Sequence, residues 1–552
     1  MLDTSSDART AGHGARPDRT HHEVVVVGAG VCGIYALHQM VEHGVDVTVL
    51  EAGEDLGGTW FWNRYPGARF DSESVTYGYS FSRELLAEWD WKERFSAQPE
   101  NLRYLNHVAD RFDLRRHMQF GVTVERAVWS EAESVWHLHL DDGRDLSCRF
   151  LVLAIGLLSA PTRPRYEGMD DFAGESFHTY DWPEGVDLTG KRVGVIGTGA
   201  TAVQLIPVIA EQVSELTVFQ RRPNWCAPLN NGPISPEEMA DVKRRYDEIF
   251  AICATTPGSF IHGPDRRPFF EVPREERVAM WERLYREPGF GIWLANFRDI
   301  FMDEAANGEL SEFIADKIRE RVDDPAIAEK LIPKDHGFGV QRVPMETGYY
   351  ETYNRDDVRL VDLQETPIRR ITRTGIETSA DHIELDVIVY ATGFDAVTGA
   401  YDRIDIRGVD GQALQDKWRD GPKTLFGMLT HGFPNLLMPT GPQSASASTN
   451  FPRAIELCVE WCTDLLTHVN DRGATHVEAA IDAEEAWDQH VRELYGMMLM
   501  RKAQGWFTGY NSNVEGHEQG TIRYLVYNGG TPKYRRLITE CAADGYPGIC
   551  FR

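Results

Sequence analysis

The chain has no Cys-x-x-Cys pair in its 552 residues. Its eight cysteines are scattered, and the nearest two, Cys458 and Cys462, stand four apart, as core residues on one helix face. A redox-active Cys-x-x-Cys couple is therefore excluded, and the usage fits a reduced, cytoplasmic protein. Positive charge is also short: 57 Lys and Arg stand against 85 Asp and Glu, a net charge of -28. Such a field repels phosphate backbones and argues against nucleic acid as a partner. Residues 1–22 contain no apolar core of a signal peptide and are expected to form a disordered leader. The uncharged run Val193 to Ala210 nearly reaches membrane-spanning length, but a glycine turn after its first strand marks it as a nucleotide-binding unit and not a transmembrane segment. What remains, 42% hydrophobic and 26% charged, is ordinary globular material, long enough for more than two structural domains.

The segment HHEVVVVGAGVCGIYALHQM carries a short buried strand, Val24 to Val27, then Gly28, Gly30 and Gly33, then a helical pattern. In G-x-G-x-x-G the first glycine makes the turn, the second admits a pyrophosphate, and the third lets helix and strand pack. The next strand ends at Glu51, about twenty residues on, where a carboxylate accepts ribose hydroxyls and repels a 2′-phosphate. This site suits FAD or NAD. A second fingerprint follows the strand Arg192 to Ile196: Gly197, Thr198, Gly199, Ala200, Thr201 and Ala202 give G-x-G-x-x-A. Its next strand ends in Gln220, Arg221 and Arg222, and guanidinium groups there suit the 2′-phosphate of NADPH. Thus FAD is expected at the first turn and NADPH at the second.

Two further apolar strands, Arg149 to Gly156 and Leu385 to Asp395, end in Ala-x-Gly and are expected to carry the chain between the two nucleotide units. The fold class is therefore α/β, with two Rossmann-like domains. The FAD domain is expected to be split, 23–157 and 387–540, around an NADPH domain at 158–386. Charged, helix-forming residues 234–330 read as a helical insertion in the latter, and 541–552 as a C-terminal tail. The spacing of Phe172, Gly174, His178, Trp182 and Pro183 fits neither helix nor strand and reads as a connecting segment.

That last segment, F-x-G-x-x-x-H-x-x-x-W-P, resembles the fingerprint of the type I Baeyer–Villiger monooxygenases. So does GGTWFWNRYPGARFD, with Gly57, Gly58, Trp60, Tyr65, Pro66, Gly67 and Asp71 at the family's fixed places. ATGFD (Ala391 to Asp395) and WFTGYN (Trp506 to Asn511) are similar to further family segments, and the likeness runs from Val24 nearly to the end. It implies an FAD-dependent, NADPH- and O2-consuming enzyme without a metal. NADPH reduces FAD, reduced FAD captures O2 as a C4a-peroxide, and the deprotonated peroxide attacks a ketone. One carbon migrates, and an ester or lactone results. In this family His178 is thought to couple domains; a histidine that simply holds the linker is an equal reading.

By the same resemblance Arg342 stabilises the peroxide and contacts the nicotinamide, and Asp71 is its carboxylate partner. Arginine suits the task because its pKa is too high to protonate and quench an anion. Thr59, Trp60, Phe61, Trp62, Tyr77, Val124 (at the end of a strand) and Phe451 match flavin-contact positions. Arg69 and Trp506 match nicotinamide-side positions, Trp506 on a mobile loop. Ser446, Ala447, Ser448 and Thr449 match a loop lining the substrate pocket, where small side chains leave room for a bulky ketone. One departure stands out. The family usually carries Lys or Arg before the active-site arginine, and here it is Gln341. NADPH preference is then expected to rest on Arg221 and Arg222. Three rivals share part of this pattern: a flavin monooxygenase that oxidises sulfur or nitrogen, a disulfide reductase, and a non-catalytic dinucleotide sensor. The paired fingerprints and the missing Cys-x-x-Cys argue against the first two. The sensor is distinguished by reducing the protein with NADPH. The sequence leaves the ketone and the oligomeric state open.

Overall fold

The structure, a computed structural model, describes residues 20–445, 449–514, 516–517 and 522–552. The leader expected at 1–22 falls almost wholly outside them, yet His21 and His22 already belong to the strand His21–Val27. Two sheets organise the chain. In the first, His21–Val27 lies between two parallel neighbours, Val47–Glu51 and Asp145–Leu153. The hairpin strands Val124–Ser130 and Val135–Leu140 extend it on one side, and Met118–Phe120 closes the other. The second sheet is all parallel, in the order Val358–Asp362, Glu215–Gln220, Arg192–Ile196, Val387–Tyr390, Glu175–His178. Parallel strands covered on both faces require near-continuous apolar runs, which VVVV and VIVY supply.

Several expected boundaries shift. Val387–Tyr390, expected in the first unit, pairs inside the second sheet, because its backbone completes the ladder between Arg192–Ile196 and Glu175–His178. Glu175–His178 was read as connecting chain but is an edge strand. At four residues it is too short to show a period, and it forms because a neighbour offers free backbone groups. Residues 541–552 are not a tail. The helix Thr531–Ala543 runs into them, and Ile549–Phe551 pairs antiparallel with Val477–Ala479.

Within the expected insertion lie the helices Pro236–Thr255, Arg274–Arg286, Gly291–Leu294 and Glu304–Arg321; Pro325–Leu331 begins inside it. Ser235 and Asp303 cap the two longest by accepting N–H bonds from Glu238 and from Ala305 and Ala306. Phe269, Trp281 and Phe297 pack edge-on and stacked in its core. Cys458 and Cys462 lie buried on the helix Phe451–Asp471, which packs on Val31–Glu42. No helix among the described residues is long and apolar enough to cross a membrane.

Candidate active site

The first glycine turn is shaped by backbone contacts. Gly28 has φ +101, and a Cβ there would stand 2.6 Å from the Ala154 carbonyl oxygen. A Cβ on Gly33 would stand 1.8 Å from the Gly28 carbonyl oxygen, so only glycine lets the helix Val31–Glu42 start this close to the strand. No side chain caps that helix, so the first N–H groups at its N-terminus are free to meet an anion. Gly58 faces Gly30 across the turn, and its Cβ would lie 2.7 Å from the Gly30 Cα. Glu51 is buried, and its two oxygens accept the Ala29 and Gly53 N–H groups at 2.6 and 2.7 Å. Burial raises its pKa against the pull of those bonds. The carboxylate is thus held at the strand end with lone pairs still to offer.

The second turn opens on a cavity of about 230 Å³, lined by Gly197, Thr198, Gly199, Arg221, Arg222 and Gln341. Gly197 has φ +113, and a Cβ on Gly199 would meet nothing within 4 Å, so this turn presents bare backbone to open space. Arg221 donates to the Ser512 hydroxyl. Arg222 is more committed: it donates to Gln504 Oε1 at 2.9 Å, approaches Asp335 at 3.5 Å and lies over the Tyr510 ring. Gln341 Nε2 donates to the Gln504 carbonyl at 3.1 Å. Arg221 is exposed as a whole, but partial desolvation of its head group and the like charge of Arg222 lower its pKa. Gln220 departs from expectation. Its side chain is buried, donates to the Lys330 carbonyl at 2.7 Å and does not line the cavity. Gln220 closes a strand whose last five residues are all buried, while the loop residues after it reach the ligand side.

A larger cavity, about 1160 Å³, joins the two units. Gly28, Gly30 and Glu51 line one end, and Ala200, Thr201 and Arg342 enter from the second unit. Between them stand Gly58, Thr59, Trp60 and Trp62, then Arg69, Asp71 and Tyr77. Val124 also lines it, but it opens the strand Val124–Ser130 and does not end one, because the chain enters this hairpin beside the first turn. Thr449, Phe451 and Trp506 complete it; Ser446, Ala447 and Ser448 lie outside the described residues. Phe61 is not on the lining. It packs edge-on to Trp62 and lies against Gly53, because its neighbours on a four-residue helix point elsewhere.

At the centre Arg342 Nη1 and Nη2 donate to the two oxygens of Asp71 at 2.7 and 2.5 Å. Nη1 also reaches the Val343 carbonyl at 2.6 Å, and the Phe290 ring lies 5.3 Å from the guanidinium. Arg69 is held by Glu93 and the Phe95 carbonyl, both at 3.0 Å, and its backbone is braced by Gln204. Trp60 donates to the Tyr77 hydroxyl, and Trp62 stacks on Tyr180 at 5.2 Å. His178 is fully buried away from the cavity. Its Nδ1 accepts the Tyr180 N–H at 3.1 Å, and burial lowers its pKa to about 4. A proton relay does not follow from that placement. Phe172 is half-buried and packs against the apolar residues of the second sheet beside Gly174, and Trp182 lies edge-on to Phe177. Among the described residues no group of three or more His, Cys, Asp or Glu could hold a metal.

Part of the lining carried no motif. Phe260, Phe290, Trp293 and Phe301 come from the insertion, and Met498 and Met500 from the chain before Trp506. The only signal was aromatic residues recurring in a charged segment.

Residues 22–245 match the family model described as pyridine nucleotide-disulphide oxidoreductase. All eight cysteines are free, so the match concerns the dinucleotide fold. The chain is 47% identical over 534 residues to a 2-oxo-Δ3-4,5,5-trimethylcyclopentenylacetyl-CoA monooxygenase of Pseudomonas putida, covering 96% of this chain and 98% of the relative. A Baeyer–Villiger monooxygenase of Pseudooceanicola batsensis is 40% identical, with 96% of each chain covered. A crystal structure of OTEMO in complex with FAD and NADP matches with a TM-score of 0.92 at 46% identity, covering 96% of this chain and 99% of that one.

Proposed function

The chain belongs to the Baeyer–Villiger monooxygenases, and from that premise we propose that it inserts one oxygen atom of O2 beside a ketone carbonyl, using FAD and NADPH, to give an ester or lactone. The residues fit both cofactors. The facing Gly30 and Gly58, the uncapped helix and the anchored Glu51 make a cradle for a pyrophosphate and a ribose diol. The open space at Gly199, with Arg221 and Arg222 beyond it, suits a second dinucleotide carrying a 2′-phosphate. A cavity of about 1160 Å³ exceeds the roughly 300–1,000 Å³ of single-ligand pockets, as a site shared by a cofactor and a substrate requires. When bound, FAD relays the electrons of NADPH to O2, chemistry that no side chain supplies.

The protein's share is to hold charge and exclude water. Arg342 places a permanent cation in the cavity where negative oxygen develops during attack on a carbonyl. It cannot give up its proton there. Asp71 fixes the plane of the guanidinium through two bonds and offsets the cost of burying it. The Phe260, Phe290 and Trp293 wall keeps that charge in a dry setting, where it acts more strongly than in water. Trp506 lines the cavity from a late loop, and its closing over the nicotinamide would complete the enclosure.

The observation that carries this reading is the forked Asp71–Arg342 pair facing the cavity that also holds the first glycine turn. The decisive measurement adds NADPH to the yellow protein without oxygen, then air with a panel of linear, cyclic and aromatic ketones. Bleaching followed by products heavier by one oxygen atom supports it. Reduction and reoxidation without any oxygenated product, across the panel, overturns it.

A further inference from the structure

Behind the aromatic wall lies a polar pair outside the cavity lining. His262 Nε2 and Glu73 Oε1 stand 2.6 Å apart, with side chains only 15% and 11% exposed. His262 belongs to the segment after the helix Pro236–Thr255, and Glu73 to the loop two residues past Asp71. The other Glu73 oxygen, Oε2, is buried with no partner among the described residues. His262 therefore satisfies one of the two oxygens of this carboxylate. Gly289 is pressed against the same pair: a Cβ there would fall 2.6 Å from Glu73 Oε1 and 2.9 Å from the Phe95 ring. The next residue is Phe290, whose ring lies 5.3 Å from the Arg342 guanidinium and 5.2 Å from Phe260. Both rings line the reaction cavity.

We propose that Glu73 and His262 form a clamp that sets the aromatic wall of the substrate chamber, with His262 as a positioning residue for ketone binding. This rests on the ketone-oxygenating reading above. The physical reason is rigidity. Phe260 and Phe290 belong to the insertion, while Asp71 and Glu73 belong to the first unit. The ring that faces Arg342 keeps its distance from the Asp71–Arg342 pair only if these two parts of the chain are tied locally. Backbone bonds from Asn450 to Gly258 and from Thr531 to Pro257 also hold this segment to the first unit, but the Glu73–His262 bond is the side-chain tie nearest the reacting pair, two residues from Asp71 on one side and two from Phe260 on the other. Nearly buried, it is worth more than a surface pair. Its loss leaves a carboxylate bare and lets the wall drift, and small displacements in such sites are costly. Bulky ketones that fill the chamber should feel this more than acetone.

The test is calorimetric titration of a bicyclic aryl ketone into the oxidised, FAD-loaded enzyme without NADPH, so that no turnover intervenes. His262→Ala and Glu73→Ala are each expected to weaken binding about tenfold, and the double variant no more than either alone. His262→Gln, whose amide can still donate to Glu73, should bind within about threefold of wild type and also serves if the alanine variants fold poorly. In turnover, KM for the bicyclic ketone should rise in His262→Ala with a much smaller change in kcat, and KM for acetone should hardly move. Single variants that bind like wild type overturn the clamp. So do additive losses, or a His262→Gln variant as weak as His262→Ala. Should the wild type bind the ketone but form no ester, the reaction assignment fails while the clamp stands on its binding data.

Discussion

Arg342 grips both oxygens of Asp71, one through each terminal nitrogen, across 271 positions of sequence. The Arg342 side chain is 27% exposed and that of Asp71 7%, so the pair opens toward the cavity on the arginine side. Arg342→Ala is expected to cut ester formation by a factor of about 10²–10³ or more, the loss seen when a preorganised charge is removed from a developing anion. Arg342→Lys should recover little, because a single ammonium cannot hold both carboxylate oxygens in one plane. Asp71→Asn should lower the thermal midpoint as well as the rate. Orphaning one member of a fully buried pair costs about 3–5 kcal/mol, and the partial exposure of Arg342 reduces that here. Product formed per NADPH consumed, read beside the melting midpoint, checks both. An Arg342→Ala variant that makes ester at the wild-type rate would refute the assignment.

The glycine turns were legible because their chemistry is local. Gly28, Gly33 and Gly197 have contacts or dihedrals that exclude a side chain, and such positions mark themselves in one sequence. Asp71 and Arg342 were legible only through their surrounding motifs, since nothing in their spacing shows that they meet. Glu175–His178 was missed as a strand because an edge strand of four residues takes its order from its neighbour. Gln220 does not reach the ligand because it still belongs to the strand Glu215–Gln220, whose last five residues are all buried, and Arg221 is the first residue beyond it. Phe290 and Trp293 left no trace beyond aromatics recurring in a charged segment, and Met500 left none: the cavity is assembled by packing the insertion and a late segment on the first unit, contacts no local pattern encodes.

Nucleotide preference follows from how the cations of the smaller cavity are spent. Arg222 is partly neutralised by Asp335 at 3.5 Å and tied to Gln504, whereas Arg221 has a neutral hydroxyl partner. Arg221 is exposed, yet partial desolvation of its head group and repulsion from Arg222 disfavour its charge, and a 2′-phosphate between the two would relieve that repulsion. Arg221→Ala is therefore expected to lower the NADPH-over-NADH ratio of kcat/KM by roughly tenfold to a hundredfold, the worth of one charged hydrogen bond at about 1.5–3 kcal/mol. Asp335→Asn and Gln341→Lys should move the ratio the other way, the first by freeing Arg222, the second by adding charge. Binding of 2′,5′-ADP against 5′-AMP separates these effects from catalysis. If Arg221→Ala leaves the ratio unchanged, the phosphate is read elsewhere.

His178 gives a stability signature in acid. Its Nδ1 accepts the Tyr180 N–H, so the folded imidazole is neutral, and protonation would turn that acceptor into a donor facing a donor. Burial holds its pKa at about 4, against 6.5 in an unfolded chain. The folded pKa is depressed, so above pH 6.5 neither state binds the proton and the protein keeps its full stability. As pH falls from 6.5 toward 4 only the unfolded chain takes the proton up, and stability is lost; below pH 4 the loss levels off. The depth is about 3 kcal/mol, from about 1.4 kcal/mol per pKa unit. Carboxylates also titrate near the lower end of that window, so the measurement is a difference. His178→Asn keeps an acceptor for Tyr180 and cannot titrate. It should be less stable than wild type at pH 7.5, and that gap should shrink by about 3 kcal/mol by pH 4, followed by denaturant unfolding at each pH. A gap that stays constant across the window would mean that His178 is not held neutral by its burial.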